Sequence, residues 1–217
     1  MPLEHWQAVA LAAALTAALV LALVVAELSG RPRTRAVLKS LASLTFVGAG
    51  LVLLPLESAA GRLLFAGLAL SFVGDVALIP KGKKALFLLG LGAFLCAHLC
   101  YGAAFAARGL SLTLTLAGGA ALVAVAVPLG AWLHRHVRGS MRAPVAGYVL
   151  AITLMVALAA GAFGAGARPT LLLGAVLFYL SDLCVARERF VVSSRWNAAL
   201  GLPLYYAGQL LLIDGLG

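Results

Sequence analysis

Read from the amino terminus, the chain alternates between apolar runs of about twenty residues and short interruptions where charges, prolines and polar side chains cluster. A helix that crosses a bilayer needs roughly 20 predominantly apolar residues. The runs therefore predict eight membrane-spanning helices, over approximately 6–28, 36–54, 61–80, 85–107, 111–133, 142–163, 169–187 and 196–214. The expected architecture is all-α, a polytopic integral membrane bundle occupying residues 1–217 as a single transmembrane domain. Pro128, near the end of the fifth span, is tolerable there as a kink, because neighbouring helices can satisfy the backbone groups it frees.

Composition removes the alternatives. Of 217 residues, 64% are hydrophobic, 11% are charged and 24 are glycine, with a mean hydropathy of +1.09. A soluble domain is about half apolar, and a disordered chain is poorer still in Leu and Val. Three cysteines, Cys96, Cys100 and Cys184, cannot staple a secreted scaffold; lying in apolar runs, they read as buried core thiols. Eight spans leave no length for a sizeable soluble domain. The first run has an apolar core too long for a signal peptide, and Glu4 and His5 precede it where a basic segment would be expected.

Charge adds direction. A net charge of +9 would suggest nucleic acid in a soluble protein, but here its placement matters more. Arg31, Arg33, Arg35 and Lys39 surround the first turn, Lys81, Lys83 and Lys84 the third, Arg135, Arg138 and Arg142 the fifth, and Arg187, Arg189 and Arg195 the seventh. These are thirteen of the sixteen basic residues, and the even turns hold only Arg62, Arg108 and Arg168. Lys and Arg accumulate on cytoplasmic loops, so both termini are expected on the non-cytoplasmic side. Lys81, Lys83 and Lys84 read as topology signals touching anionic headgroups, and His134 and His136 as solvated at the same interface. Richness in Ala, Gly, Leu and Arg points to a GC-rich bacterial genome and an inner membrane. The expected partners are membrane lipid and no nucleic acid.

An ionisable side chain inside hydrocarbon costs at least a few kcal/mol and is a functional candidate by default. Five of the seven acids, Glu4, Glu27, Glu57, Glu188 and Asp214, fall at helix ends or turns; Asp75 and Asp182 fall inside the third and seventh spans. Each lies about five residues from the predicted cytoplasmic end, roughly 8 Å deep at 1.5 Å per residue. Leu70–Asp75 and Leu177–Asp182 also resemble each other at an offset of 107 residues, near half the chain, which hints at two parallel four-helix halves. Gly67, Ser71 and Asp75 share one face of the third helix; Gly174, Phe178 and Asp182 share one face of the seventh. Small residues allow close helix approach, which would bring both carboxylates to an interior cavity.

Other polar residues join this set, each with a plainer reading beside it. His98 sits in a fourth-helix stripe with Gly90, Phe94, Tyr101 and Phe105, Tyr205 and Gln209 are one turn apart on the eighth helix, and Tyr148 and Lys39 lie near the cytoplasmic ends of the sixth and second. His98 could be a satisfied interhelical hydrogen-bonder, the tyrosines and Gln209 packing glue, and Lys39 a snorkelling cation. A metal triad of His98, Asp75 and Asp182 is disfavoured, since straight-helix geometry puts His98 about 12 Å deeper than the aspartates. No metal or cofactor is called for. The chain lacks a Gly-x-Ser-x-Gly elbow and a Gly-rich phosphate motif.

Ser71-Phe-Val-Gly-Asp75, Phe94-x3-His98-x2-Tyr101, Phe178-Tyr-Leu-Ser181-Asp182 and Tyr205-x3-Gln209 together resemble the YhhN family, which includes the TMEM86 lysoplasmalogenases. The resemblance runs over essentially the whole chain. It implies hydrolysis of the vinyl ether bond of a lysoplasmalogen to a fatty aldehyde and a glycerophospho-headgroup, with the family's proposed catalytic aspartates at Asp75 and Asp182. The residues suit that chemistry independently. Vinyl ethers yield to acid, by proton delivery to the carbon β to oxygen and capture of the oxocarbenium ion by water, so an acid and an anion are needed together. A lysophospholipid would set its headgroup near Lys39 and the basic turns, its ether at the aspartates and its chain along Phe94, Phe105 and nearby leucines. Ser71, His98, Tyr101, Tyr148, Ser181, Tyr205 and Gln209 would then line the cavity. A secondary transporter or a lipid-binding membrane protein would use the same polar cavity; a transporter should show broken helices at midplane and access from both faces.

Overall fold

The computed structural model describes residues 5–80 and 82–217. Glu4 and Lys81, read above as a helix-end acid and a topology signal, lie outside the described residues, as does the side chain of His5. The described residues form eight α-helices: α1 (His5–Leu28), α2 (Pro32–Leu53), α3 (Ala59–Ala77), α4 (Lys84–Arg108), α5 (Leu112–His136), α6 (Arg142–Gly164), α7 (Pro169–Ala186) and α8 (Arg195–Leu216). All eight are long and apolar enough to cross a membrane, and no strand occurs among the described residues.

Local chemistry sets the ends. Pro32 and Pro169 open α2 and α7, where the missing N–H would lack a helical partner anyway and φ is preset. Ser58 caps α3 by accepting from Gly61 N at 2.9 Å, and a β-carbon at Gly61 would strike the Pro55 carbonyl. Gly30 ends α1 with φ +65°, a left-handed turn that glycine adopts at no steric cost. The expected third span to residue 80 is cut at Ala77; Pro80 cannot donate into a helix and disfavours helical backbone at the residue before it. The seventh continues past Ala186 through a π-helical turn, Arg187–Val191.

Seven helices close a ring, in the order α1, α2, α3, α4, α6, α7, α8 and back to α1, and α5 stands outside it against α6. Leu133 is the single fully buried residue of α5, whereas α6 and α8 are about half buried. The core inside the ring is aromatic: Phe46, Tyr101, Phe105, Phe178 and Tyr206 are all buried. Outer faces carry exposed leucines and valines, as lipid-facing helices should. The cysteines correct the sequence reading, because Cys96 is exposed and Cys100 and Cys184 only half-buried; an apolar run in a membrane helix faces lipid as readily as core.

The turns gather on two opposite faces. On one, Arg35 Nη2 donates to Ile79 O (2.7 Å), Arg195 Nη1 to Leu28 O (3.0 Å) and Lys84 Nζ to Ser140 Oγ (3.1 Å), tying together the first, third, fifth and seventh turns. On the other, Ser111 N donates to Gly161 O (2.9 Å) and Arg168 meets Asp214 at the end of α8 (3.4 Å). The thirteen odd-turn cations counted above, Lys81 aside, thus belong to one face.

Candidate active site

The ring, with the last turns of α5 at Leu129, Gly130 and Leu133, surrounds a cavity of about 550 Å³ that opens at the basic face. Of the predicted residues, Lys39, Asp75, Tyr148, Ser181, Asp182 and Tyr205 line it. Both carboxylates therefore belong to one chamber, though with unlike surroundings.

Asp75 is built into the wall. Its side chain is 3% exposed. Lys39 Nζ stands 3.1 Å from Oδ1, and Oδ2 accepts from Ser43 Oγ and Tyr205 OH, each at 2.7 Å. A further tyrosine, Tyr206, braces this group, its hydroxyl 2.9 Å from Ser43 Oγ and 3.2 Å from the Lys39 carbonyl. A buried carboxylate is tolerated when a cation and hydrogen-bond donors replace its water, and α2 and α8 supply both here. Lys39 does not snorkel; it is turned inward and shielded. Ser43 and Tyr206 were absent from the sequence reading. The available signal for Ser43 was its position one turn from Lys39 on the same helix face.

Asp182 is held more lightly. Tyr148 OH donates to Oδ2 at 2.7 Å, and His98 Nε2 lies 3.6 Å from the same oxygen. No Lys or Arg pairs with it among the described residues, and Oδ1 receives no hydrogen bond there. Asp182 retains 15% exposure, into the cavity.

His98 corrects the depth estimate. It was expected well below the aspartates, yet it reaches Asp182. The π-helical turn extends the seventh helix to Val191, so Asp182 lies nine residues from its end rather than five, and α3 stops two residues after Asp75. The equal depth inferred for the two aspartates loses its basis for the same reason. Even so, no group of three or more His, Cys, Asp or Glu side chains among the described residues is placed to hold a metal.

Ser71, His98, Tyr101 and Gln209 do not line the cavity but lie buried behind it. Phe178, fully buried, packs edge-on against His98 (4.8 Å), Tyr205 (5.1 Å) and Tyr101 (6.2 Å). Tyr101 OH donates to Gln209 Oε1 at 2.8 Å and lies 3.0 Å from Ser71 Oγ. Gly67 makes room, since a β-carbon there would collide with the Tyr101 ring. Both ring nitrogens of His98 and Nε2 of Gln209 are buried without a hydrogen-bond partner, an uncommon condition in a folded interior. Ser181 Oγ is spent on the Phe178 carbonyl (2.9 Å).

Eight apolar helices and a largely apolar cavity that holds two interior carboxylates define a class: an integral membrane protein with a site reached from its basic face. Residues 12–216 match the YhhN family, and the chain belongs to that family. It is 32% identical over 155 residues to lysoplasmalogenase TMEM86A of Bos taurus, covering 69% of this chain and 62% of that protein. It is 33% identical over 163 residues to a lysoplasmalogenase of Mycobacterium tuberculosis (71% and 60%) and 35% identical over 156 residues to lysoplasmalogenase TMEM86B of Mus musculus (70% and 62%). The chain thus matches about three fifths of the length of these curated relatives. No solved structure matches it.

Proposed function

We propose that this chain hydrolyses the vinyl ether bond of a lysoplasmalogen, with Asp182 as general acid and Asp75 as the fixed anion. The observation that carries the reading is the unlike wiring of two carboxyls on one cavity: a lysine and two hydroxyl donors on Asp75, one tyrosine hydroxyl and no cation on Asp182. A carboxyl surrounded by donors and a cation is suited to remain an anion, and one with a free oxygen facing the cavity is suited to hold a proton. The names of the relatives support the substrate class.

In this scheme the Asp182 proton passes to the vinyl carbon remote from oxygen, and the π pair forms the new C–H bond. The positive charge left on the C–O unit is balanced by the Asp75 carboxylate. Water adds to the charged carbon and returns a proton to Asp182. The hemiacetal then transfers its hydroxyl proton to the glycerol oxygen as the C–O bond breaks, releasing fatty aldehyde and the glycerophospho-alcohol. Tyr148 orients Asp182, and Tyr205 with Ser43 fixes Asp75.

The test is aldehyde release by purified protein from lysoplasmalogen and from a saturated alkyl-ether analogue, which lacks the carbon to protonate. Turnover of the vinyl ether alone is expected. D182N and D75N should each fall by at least about 10²-fold, the lower end for positioned proton transfer, while both still insert. Near-native turnover by either variant would remove this mechanism.

The same reading sets the basic face in the cytoplasm of a bacterial cell and both termini outside, as the positive-inside rule expects. It includes a parallel duplication of four helices. The pairings α1·α2, α2·α3, α3·α4 and α2·α8 have counterparts in α5·α6, α6·α7, α7·α8 and α6·α4. Moreover His98 and Tyr205, the groups from the opposite half that face Asp182 and Asp75, are separated by the same 107 residues as the aspartates themselves.

A further inference from the structure

We propose that the mouth of the cavity carries a phosphate-binding site for a lipid headgroup, formed by Lys83 and Arg189, and that Lys39 takes no part in it. The inference deepens the lysolipid reading above and rests on it for the identity of the ligand.

The cations that line the cavity divide by what already occupies them. Lys39 is spent on Asp75 at 3.1 Å. Arg35 is spent on Glu27 at 3.4 Å and on the Ile79 carbonyl at 2.7 Å. Arg195 gives Nη1 to the Leu28 carbonyl. Lys83 and Arg189 remain: both are exposed at the mouth, and unlike Arg195 neither side chain is held by a hydrogen bond or paired with a carboxylate among the described residues. The acid next to Arg189 is engaged elsewhere: Glu188 accepts from Ser193 Oγ (2.6 Å), Ser194 N (2.7 Å) and Asn197 Nδ2 (2.8 Å).

Arg189 is also aimed. Its guanidinium lies 4.2 Å from the centre of the Phe87 ring, itself edge-on to Phe190 at 6.1 Å. A ring face fixes the plane of the guanidinium without using its N–H groups, which leaves the planar fork that binds phosphate in two-point fashion. Lys83 precedes that same Phe87 by one helical turn, its carbonyl accepting from Phe87 N at 3.0 Å, and adds a mobile point charge beside the guanidinium.

The spacing suits one ligand. Arg189 follows Asp182 by seven residues on a continuous helix, an axial separation of about 10 Å. A long arginine side chain and a three-carbon glycerol backbone together bridge that interval, so a phosphate at Arg189 places the ether carbon at Asp182. The tail then occupies the apolar wall of Leu91, Leu129, Val149 and Ile152.

The test measures binding by the purified full-length protein in detergent micelles. The probes are a saturated alkyl-ether lysophospholipid, the matching alkylglycerol without phosphate, and inorganic phosphate. The phospholipid probe should bind about tenfold or more tightly than the alkylglycerol, the scale of one charge-assisted contact, and inorganic phosphate should compete weakly. R189Q and K83Q should each reduce that preference several-fold and the double variant abolish it. R189K, which keeps the charge, should retain part of it. R33Q removes an equal charge from an exposed position outside the cavity and should leave it intact.

Equal binding of the two lipid probes by the native protein, a preference surviving in the double variant, or an equal loss in R33Q would each overturn the proposal. Efficient displacement by inorganic phosphate would make this a site for the free ion and overturn the headgroup assignment. Aldehyde release from lysoplasmalogen, run alongside, separates the two readings: preference without turnover leaves the phosphate site and removes the hydrolase, and turnover without preference does the reverse.

Discussion

A carboxylate as enclosed as that of Asp75 must recover the hydration it has lost, and Lys39, Ser43 and Tyr205 divide that task. Removing one partner of a buried ion pair costs about 3–5 kcal/mol, because the other charge stays buried and uncompensated. K39M is therefore expected to lower thermal stability in detergent by that order, and K39M/D75N to recover most of it, which a double-variant cycle of melting curves would measure. S43A should cost about 1–3 kcal/mol, the penalty of leaving a buried acceptor short of a donor. The two aspartates were legible in the sequence because a charge stands out in an apolar run. Ser43 was not, since a lone serine among small residues costs little in a helix and signals nothing by itself. Lys39 was legible as a residue but not as a partner, because its direction depends on where α3 lies relative to α2.

Element boundaries explain the displacement of His98. The seventh apolar run predicts a stop near residue 187, and the backbone instead carries on through a π-helical turn containing Arg187, Glu188 and Arg189. Charges end a hydropathy run without ending a helix, so depth counted from the run fell short. The third run erred the other way, at Pro80. Between α7 and α8, Gly174 and Gly208 set the separation: a β-carbon on Gly208 would stand 2.9 Å from the Gly174 carbonyl oxygen and 3.2 Å from Phe178 N. G208A should destabilise by about 1–3 kcal/mol, as overpacking does. V125L on the outer side of α5, where Val125 is 56% exposed, should stay within about 0.5 kcal/mol in the same assay.

At the scale of the molecule, the number of spans was readable and their arrangement was not. Small and polar stripes marked the inward faces of α3, α4 and α7, but a face does not name the helix it meets, so the ring, and the exclusion of α5 from it, emerge only from packing. The charge alternation did survive, since odd and even turns occupy opposite faces. With Cys96, Cys100 and Cys184 replaced by alanine, L110C on an even turn should react with a membrane-impermeant maleimide in intact cells. S140C on the fifth turn should react only after permeabilisation; the reverse pattern would invert the proposed orientation.

The paired glycines of α7 and α8 act as a caliper. Phe178 is one turn beyond Gly174, and Tyr205 is three residues before Gly208, so the gap these glycines hold also sets how closely the Phe178 ring meets the tyrosine on Asp75. A methyl group inserted there would push Phe178 away from Tyr205 without touching either aspartate, so under the proposed hydrolysis G208A should lose turnover through a slackened Tyr205–Asp75 contact while both carboxyls stay in place.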